Sequence, residues 1–289
     1  MKIRKAKSSS EDKFDTFSIT MELERPLLYN EEGDIDKKKQ IQKEKNDKKL
    51  KKAIIAFLVV VLLFISGFFI WLSNGYKLEE GLQSYLESDS NVQVTVKDKN
   101  IYFTPSNMTA ETGFIFYPGE RIDASAYAKL CKKIASSGYE VIVADMPFNY
   151  AAFGENKATK IMDENPNIKN WVIGGDSLGG TIASKYAEKN KNVDGIVLIS
   201  SYPKNNLKDL GIKVLSISGS KDDVINYEAL INSKNILPED TKYVEIEGAN
   251  HSQFGSYGLY NGDGEALITE DEQIDIAVNN IVNFLNNVE

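Results

Sequence analysis

The stretch Gly175-Asp176-Ser177-Leu178-Gly179 sets a serine between two glycines, after the apolar run Trp171 to Gly174 and before Thr181 to Lys189, whose residues favour a helix. A G-x-S-x-G run between a strand and a helix suits nucleophilic catalysis. The turn holds the serine in a strained conformation that exposes its hydroxyl, and the flanking glycines let the chain close without Cβ clashes. The backbone N–H of Leu178 would then face a developing oxyanion, helped by the positive end of the helix. The rival reading is one more hydroxyl in a glycine-rich loop; Gly180, the preceding strand and the following helix weigh against it.

A nucleophilic serine needs a base, and the chain has one histidine, His251, in "VEIEGANHSQFG". It falls in a loop leaving the carboxyl end of the last predicted strand, where open α/β sheets place their sites. A carboxylate is required to orient the imidazole and stabilise its charged form. "SISGSKDDVIN" offers Asp222 and Asp223, and Asp223 could equally cap the next helix.

The elements that would position these residues alternate along the chain. Short β-branched runs are "VQVTV" (92–96), "IYFT" (101–104), "TGFIFY" (112–117), "EVIVA" (140–144), "WVIG" (171–174), "GIVLIS" (195–200), "KVLSIS" (213–218) and "KYVEI" (242–246). The first two form a hairpin around "KDKN", and the later ones are spaced for crossover helices. This predicts an α/β sandwich with a mostly parallel sheet of roughly eight strands, flanked by helices. The final helix, Glu270 to Leu285, carries Ile274, Ala277, Val278, Ile281 and Leu285 on one face, and Thr269 with Glu272 makes a capping box.

The 289 residues hold more than that domain. Ala53 to Leu72 are twenty residues without a charge, long enough for a helix to cross a bilayer, and residues 53–73 are therefore expected to be a single transmembrane helix. Nine lysines lie between Lys37 and Lys52, against Lys77 alone on the other flank. The positive-inside rule puts the N-terminus in the cytoplasm and everything after Leu72 outside the cell membrane. Residues 1–52 are charged and poor in aromatics, which predicts a disordered basic tail. Residues 74–91 read as a linker, and residues 92–289 as the catalytic domain.

Charge divides at the same boundary. Residues 1–52 hold 15 Lys and Arg against 11 Asp and Glu; the remainder holds 19 against 31, a net charge of −12. So acidic an outer domain speaks against nucleic acid as a partner. Cys131 is the only cysteine, so no disulfide supports the fold, and with Tyr127, Leu130 and Ile134 it lies at helical spacing on an apolar face, which predicts a packed thiol.

These residues resemble the alpha/beta-hydrolase superfamily, in particular its small cap-less group related to dienelactone hydrolases. The resemblance spans roughly residues 92–289 and keeps the order Ser, Asp, His. In that pattern the acid lies three residues after the glycine of a "G-x-x-D" turn, which implies Asp222. "FIFYPGER" is similar to the turn where relatives complete the oxyanion hole, which implies the backbone N–H groups of Glu120 and Leu178, with Gly175 and Gly179 closing the nucleophile's turn. Many relatives have glycine where this chain has Glu120, so a carboxylate is expected to overhang the pocket. "MPFNYAAF" and "HSQFGSYG" also resemble the group, and the short stretch between "GIVLIS" and "KVLSIS" leaves no room for a lid domain.

One run competes for another role. Asn261 to Glu272 nearly fits a calcium loop, but Ala266 stands where its sharp turn needs glycine and no matching helix precedes it. Neither a metal nor a cofactor is therefore expected. The expected protein is a membrane-anchored serine hydrolase with Ser177 as nucleophile, His251 as base and Asp222 as its orienting acid, taking a small ester or acyl compound. The same triad would serve a peptidase, amidase or acyltransferase, and a non-catalytic binding module could keep the fold.

Overall fold

The structure, a computed structural model, describes residues 11–288. The chain divides into two compact units, Met1–Gly67 and Phe68–Glu289. Helix α1 (Glu11–Ser73) runs through the first and supplies the opening residues of the second. Within Gly33–Ser73 an 18-residue window reaches a mean hydropathy of 3.1 with none of it buried. The core helix of a soluble domain would be covered, so this helix is compatible with a single-pass membrane anchor. The charged segment is helical from Glu11 onward. Its lysines, glutamates and glutamines are good helix formers. The tail's first ten residues lie outside the described residues.

The second unit is built on eight strands: β1 (Val92–Lys97), β2 (Asn100–Pro105), β3 (Thr112–Tyr117), β4 (Glu140–Val143), β5 (Asn170–Asp176), β6 (Gly195–Ile199), β7 (Lys213–Gly219) and β8 (Lys242–Ile246). They form one sheet in the order β1-β2-β4-β3-β5-β6-β7-β8. β2 is antiparallel to β1 and β4, and every other pair is parallel. The β1–β2 hairpin turns at Asp98 and Lys99, whose φ values of 50° and 67° give the two-residue turn that matches strand twist.

Successive residues of a strand face opposite sides, and a parallel sheet covered on both faces needs apolar residues at each position. Phe114 and Phe116 of β3, Val141 and Val143 of β4 and Leu215 and Ile217 of β7 pack toward α2 (Ala128–Ala135) and α6 (Glu270–Leu285). Ile115, Ile142, Ile173 and Leu198 pack toward α3 (Lys157–Glu164) and α4 (Leu178–Lys189). A short α5 (Tyr227–Ser233) lies between β7 and β8 in the chain. Cys131 sits in the α2 face of the core, where burial pushes its thiol well up. The Thr269–Glu272 capping box opens α6. Between β6 and β7 the chain forms neither helix nor strand, so the sheet's carboxyl edge has no inserted lid there.

Residues 74–91 are docked on the domain. Tyr76 makes a parallel bridge with Ile122, through Tyr76 N–H to Arg121 O at 2.7 Å and Asp123 N–H to Tyr76 O at 2.9 Å. At the far end, Lys132 pairs with Asp89 at 2.9 Å and donates to Glu87 O at 2.5 Å.

Candidate active site

β5 delivers Ser177 to the carboxyl edge of the sheet, and α4 begins at the next residue. Ser177 has φ 50° and ψ −120°, a conformation that costs a residue with a Cβ on the order of 1–3 kcal/mol and persists only where the surroundings impose it. Here Ser177 N–H donates to Ile199 O at 2.9 Å, and Ser201 Oγ donates to Ser177 O at 2.6 Å. The glycines answer a close approach. A Cβ at Gly175 would stand 2.3 Å from Tyr117 O, and one at Gly179 would stand 2.0 Å from the same atom and 2.5 Å from Pro118 O. The serine's turn is therefore pressed against the backbone that leads into Pro118-Gly119-Glu120.

Two backbone N–H groups at this contact have no acceptor among the described residues. Leu178 is the first residue of α4 and has no intrahelical partner, and the Glu120 N–H is engaged by no acceptor among the described residues. The Glu120 side chain is half-buried. Burial, and then the charge of the Glu120 carboxylate, raise the phenol of Tyr260.

β7 leads to Asp222 and β8 to His251, both closed to solvent. His251 Nδ1 and Asp222 Oδ2 are 2.9 Å apart. The other carboxylate oxygen of Asp222 accepts Val224 N–H at 3.0 Å and Ile225 N–H at 2.9 Å. Burial works against ionisation of Asp222, yet the hydrogen bond and charge of His251 and the Ile225 N–H hold it below the usual carboxylate range. Burial likewise works against the imidazolium, but the bond to Asp222 and the charges of Asp176, Asp222 and Asp263 raise His251 above its ordinary value. Asp223, the other candidate acid, is exposed, and its N–H donates weakly to Asp263 at 3.4 Å. The structure thus brings His251 together with Asp222 and sets Ser177 on the same edge of the sheet. No hydrogen bond joins Ser177 Oγ to His251 among the described residues; such bonds often form only around substrate.

Four supporting residues carry no signal, or one of another kind, in the sequence. Asp176, fully buried, accepts the Tyr127 hydroxyl at 2.7 Å, and that hydroxyl accepts Gly119 N–H at 3.1 Å. Burial, only partly opposed by the charge of His251 and the Tyr127 bond, pushes Asp176 up to about 6. Spacing marks Tyr127 only as part of an apolar helix face. Asp263 stands in the sequence at a calcium-ligand position. Its carboxylate instead accepts His251 N–H at 3.2 Å, Ser252 N–H at 2.8 Å, the Ser252 hydroxyl and Gly264 N–H at 2.8 Å. It therefore ties the histidine loop to itself. Gln273 of α6 holds the same loop, accepting Asn250 N–H at 3.1 Å and donating to Asn250 O at 2.8 Å. Among the described residues no group of three or more His, Cys, Asp or Glu side chains is placed to hold a metal ion.

A strained serine at a strand–helix turn thus shares the sheet's carboxyl edge with a buried acid and a buried histidine that follow β7 and β8. The sequence model of the alpha/beta hydrolase family matches residues 113–275, over half the chain, and the chain belongs to that family. Among solved structures it is similar to the crystal structure of a predicted CIB-like hydrolase from Thermoplasma acidophilum, at 17% identity and a TM-score of 0.50, covering 66% of this chain and 98% of that one. At that identity the likeness is one of fold. No curated protein matches the sequence.

Proposed function

We propose that the protein is a serine hydrolase of carboxylic esters, anchored by one membrane span with its N-terminus in the cytoplasm and its catalytic domain outside. The observation that carries this reading is the strained turn at Ser177 on the same sheet edge as the Asp222–His251 pair. Ser177 Oγ attacks the acyl carbon while His251 Nε2 takes its proton, and the Nδ1–H of the resulting imidazolium stays bonded to Asp222. The carbonyl oxygen, now an oxyanion, is held by the N–H groups of Glu120 and Leu178. The tetrahedral species collapses to an acyl-serine as the alcohol leaves with the proton from His251. Water then repeats the sequence, giving its proton to His251 and releasing the acid and free Ser177.

A fluorophosphonate probe on the full-length protein in detergent, beside turnover of p-nitrophenyl esters, tests this. Ser177 should be the labelled residue, and Ser177→Ala should lose both label and turnover. An unlabelled Ser177, or ester turnover that survives Ser177→Ala, overturns the reading. Peptide and acceptor-alcohol substrates offered to the same preparation separate ester hydrolysis from peptidase or acyltransferase chemistry.

A further inference from the structure

The residues that leave the apolar helix are built into the loops of the candidate site. Tyr76 is bonded through its backbone to Arg121 and Asp123, either side of Ile122, and Glu120 directly precedes that stretch. The Tyr76 ring stacks on Tyr260 at 4.9 Å, Tyr260 lies 5.8 Å from the His251 ring, and Tyr76 Oη accepts Asn261 N–H at 3.0 Å. Arg121 donates to Asn74 O at 3.2 Å, with its guanidinium 3.9 Å from the centre of Trp71. Tyr76 follows Leu72, the last residue of the apolar run, by four residues, a reach of at most about 14 Å. The interfacial zone on each side of a bilayer core is about 5–8 Å deep. Both the oxyanion turn and the histidine loop are thus moored close to the point where the chain would emerge from the membrane.

The same end of the helix carries an aromatic cluster. The Phe69 ring lies 4.5 Å from Phe148 and 6.1 Å from Phe153. Phe148 and Phe153 are 45% and 50% exposed, and Phe68 and Trp71 beside them are 52% and 50% exposed. Phe148 and Asn149 have φ of 57° and 53°, a left-handed turn that is costly for a bulky aromatic. The turn is held there by Arg121 N–H to Asn149 O at 2.8 Å and Asn149 Nδ2 to Ser73 O at 3.2 Å. Strain spent on keeping a phenylalanine outward, continuous with the last turn of an apolar helix and beside a tryptophan and an arginine, is what a membrane-interface contact requires.

We propose that Phe148 and Phe153 sit in the outer leaflet and that the site takes its ester from the bilayer: the substrate is a membrane-resident amphiphile with an acyl ester, not a freely soluble ester. This rests on the serine-hydrolase and membrane-anchor readings above. The net charge of −12 over residues 53–289 disfavours an anionic headgroup, so the amphiphile is neutral or zwitterionic.

The test uses full-length protein reconstituted in phosphatidylcholine vesicles, comparing a vesicle-embedded neutral palmitoyl reporter ester with soluble p-nitrophenyl acetate. In the Phe148→Ser/Phe153→Ser variant the ratio of kcat/KM for the embedded ester to that for the soluble one should fall at least tenfold. An unchanged ratio overturns the proposal. Loss of both activities in Ser177→Ala, with the ratio unchanged in the phenylalanine variant, leaves the hydrolase standing and sinks only the membrane-substrate inference; survival of both in Ser177→Ala sinks the hydrolase itself. Because the double variant perturbs a strained turn, a second measurement is independent of it. Tryptophan emission of Phe153→Trp in a Trp71→Phe background should be quenched by brominated phosphatidylcholine, whereas no quenching beyond that of Trp71→Phe alone overturns the proposal.

Discussion

The Tyr127 hydroxyl donates to Asp176 Oδ2 at 2.7 Å, with both side chains closed to solvent. The Tyr127 hydroxyl also accepts Gly119 N–H, so one phenol links the residue before Ser177 to the residue before Glu120. A Cβ at Gly119 would come within 3.0 Å of both partners, so the turn is packed directly on the pair. In the proposed mechanism Tyr127 would position the Glu120 N–H through Gly119.

Tyr127→Phe should therefore leave Gly119 N–H and Asp176 Oδ2 buried without partners. Each such group costs about 1–3 kcal/mol, and the melting temperature should drop. The loosened turn should also lower kcat by about 10-fold to 100-fold with little change in KM, somewhat less than deletion of an oxyanion donor, which costs about 10²–10³. Steady-state kinetics with a thermal melt decides it. A variant that melts lower but keeps its kcat would reduce Tyr127 to a packing residue.

Asp176 gives the stability a pH dependence of known sign. Its folded-state value of about 6 lies above the ordinary 3.8, so the folded protein binds this proton more tightly than the unfolded chain. Stability from this group is fully present below pH 3.8 and is lost as pH rises through about 6. Asp176→Asn keeps an acceptor for Tyr127 and abolishes the titration. Its stability relative to wild type should rise between pH 4 and 7, by about 3 kcal/mol at most, since one unit is worth about 1.4 kcal/mol. Urea unfolding across that range checks it, and a flat difference would refute the assignment.

Which parts of this could be read from residues alone follows from the range of the interactions involved. The "KDKN" hairpin, the Thr269–Glu272 capping box and the alternating strands are local patterns, and the structure forms each one. Ser177, Asp222 and His251 are legible as candidates because each follows a strand, and parallel strands bring their carboxyl ends to one edge. Tyr127 and Asp176 lie 49 residues apart, and Tyr76 and Asn261 lie 185 apart. No spacing rule connects such pairs, and only packing shows that the segment expected as a linker is part of the site's frame. Asp263 shows why the calcium-loop pattern is ambiguous: a carboxylate that accepts several loop N–H groups and one that ligates a cation leave the same trace in sequence.

Asp222 and Asp223 separate the orienting acid from its neighbour. In Asp222→Asn the amide oxygen can still accept Val224 and Ile225 N–H, while the amide nitrogen presents a donor to His251 Nδ1 and selects the wrong tautomer. kcat should fall by about 10³–10⁴. Asp223→Asn, at an exposed side chain, should stay within about threefold, in keeping with a surface change. The acid limb of kcat/KM should also move to lower pH in Asp222→Asn, because a carboxylate that raises His251 has been removed. A crippled Asp223→Asn beside a near-normal Asp222→Asn would shift the acid by one residue.

Ser177→Ala and His251→Ala probe whether these residues act together, since a base has nothing to activate once the nucleophile is gone. Each should lower kcat by on the order of 10³–10⁶, and the double variant should be little worse than either single one. Their stabilities should differ. Ser177→Ala alters a half-buried hydroxyl, leaves the Ser177 N–H and carbonyl bonds intact, and should keep the melting temperature within a few degrees. His251→Ala removes a buried ring, leaves the Asp222 carboxylate without its 2.9 Å partner and should melt lower. Kinetics on an ester that the wild type turns over well distinguishes joint from separate action. Losses that multiply in the double variant would mean that Ser177 and His251 contribute independently, and the triad assignment would fall.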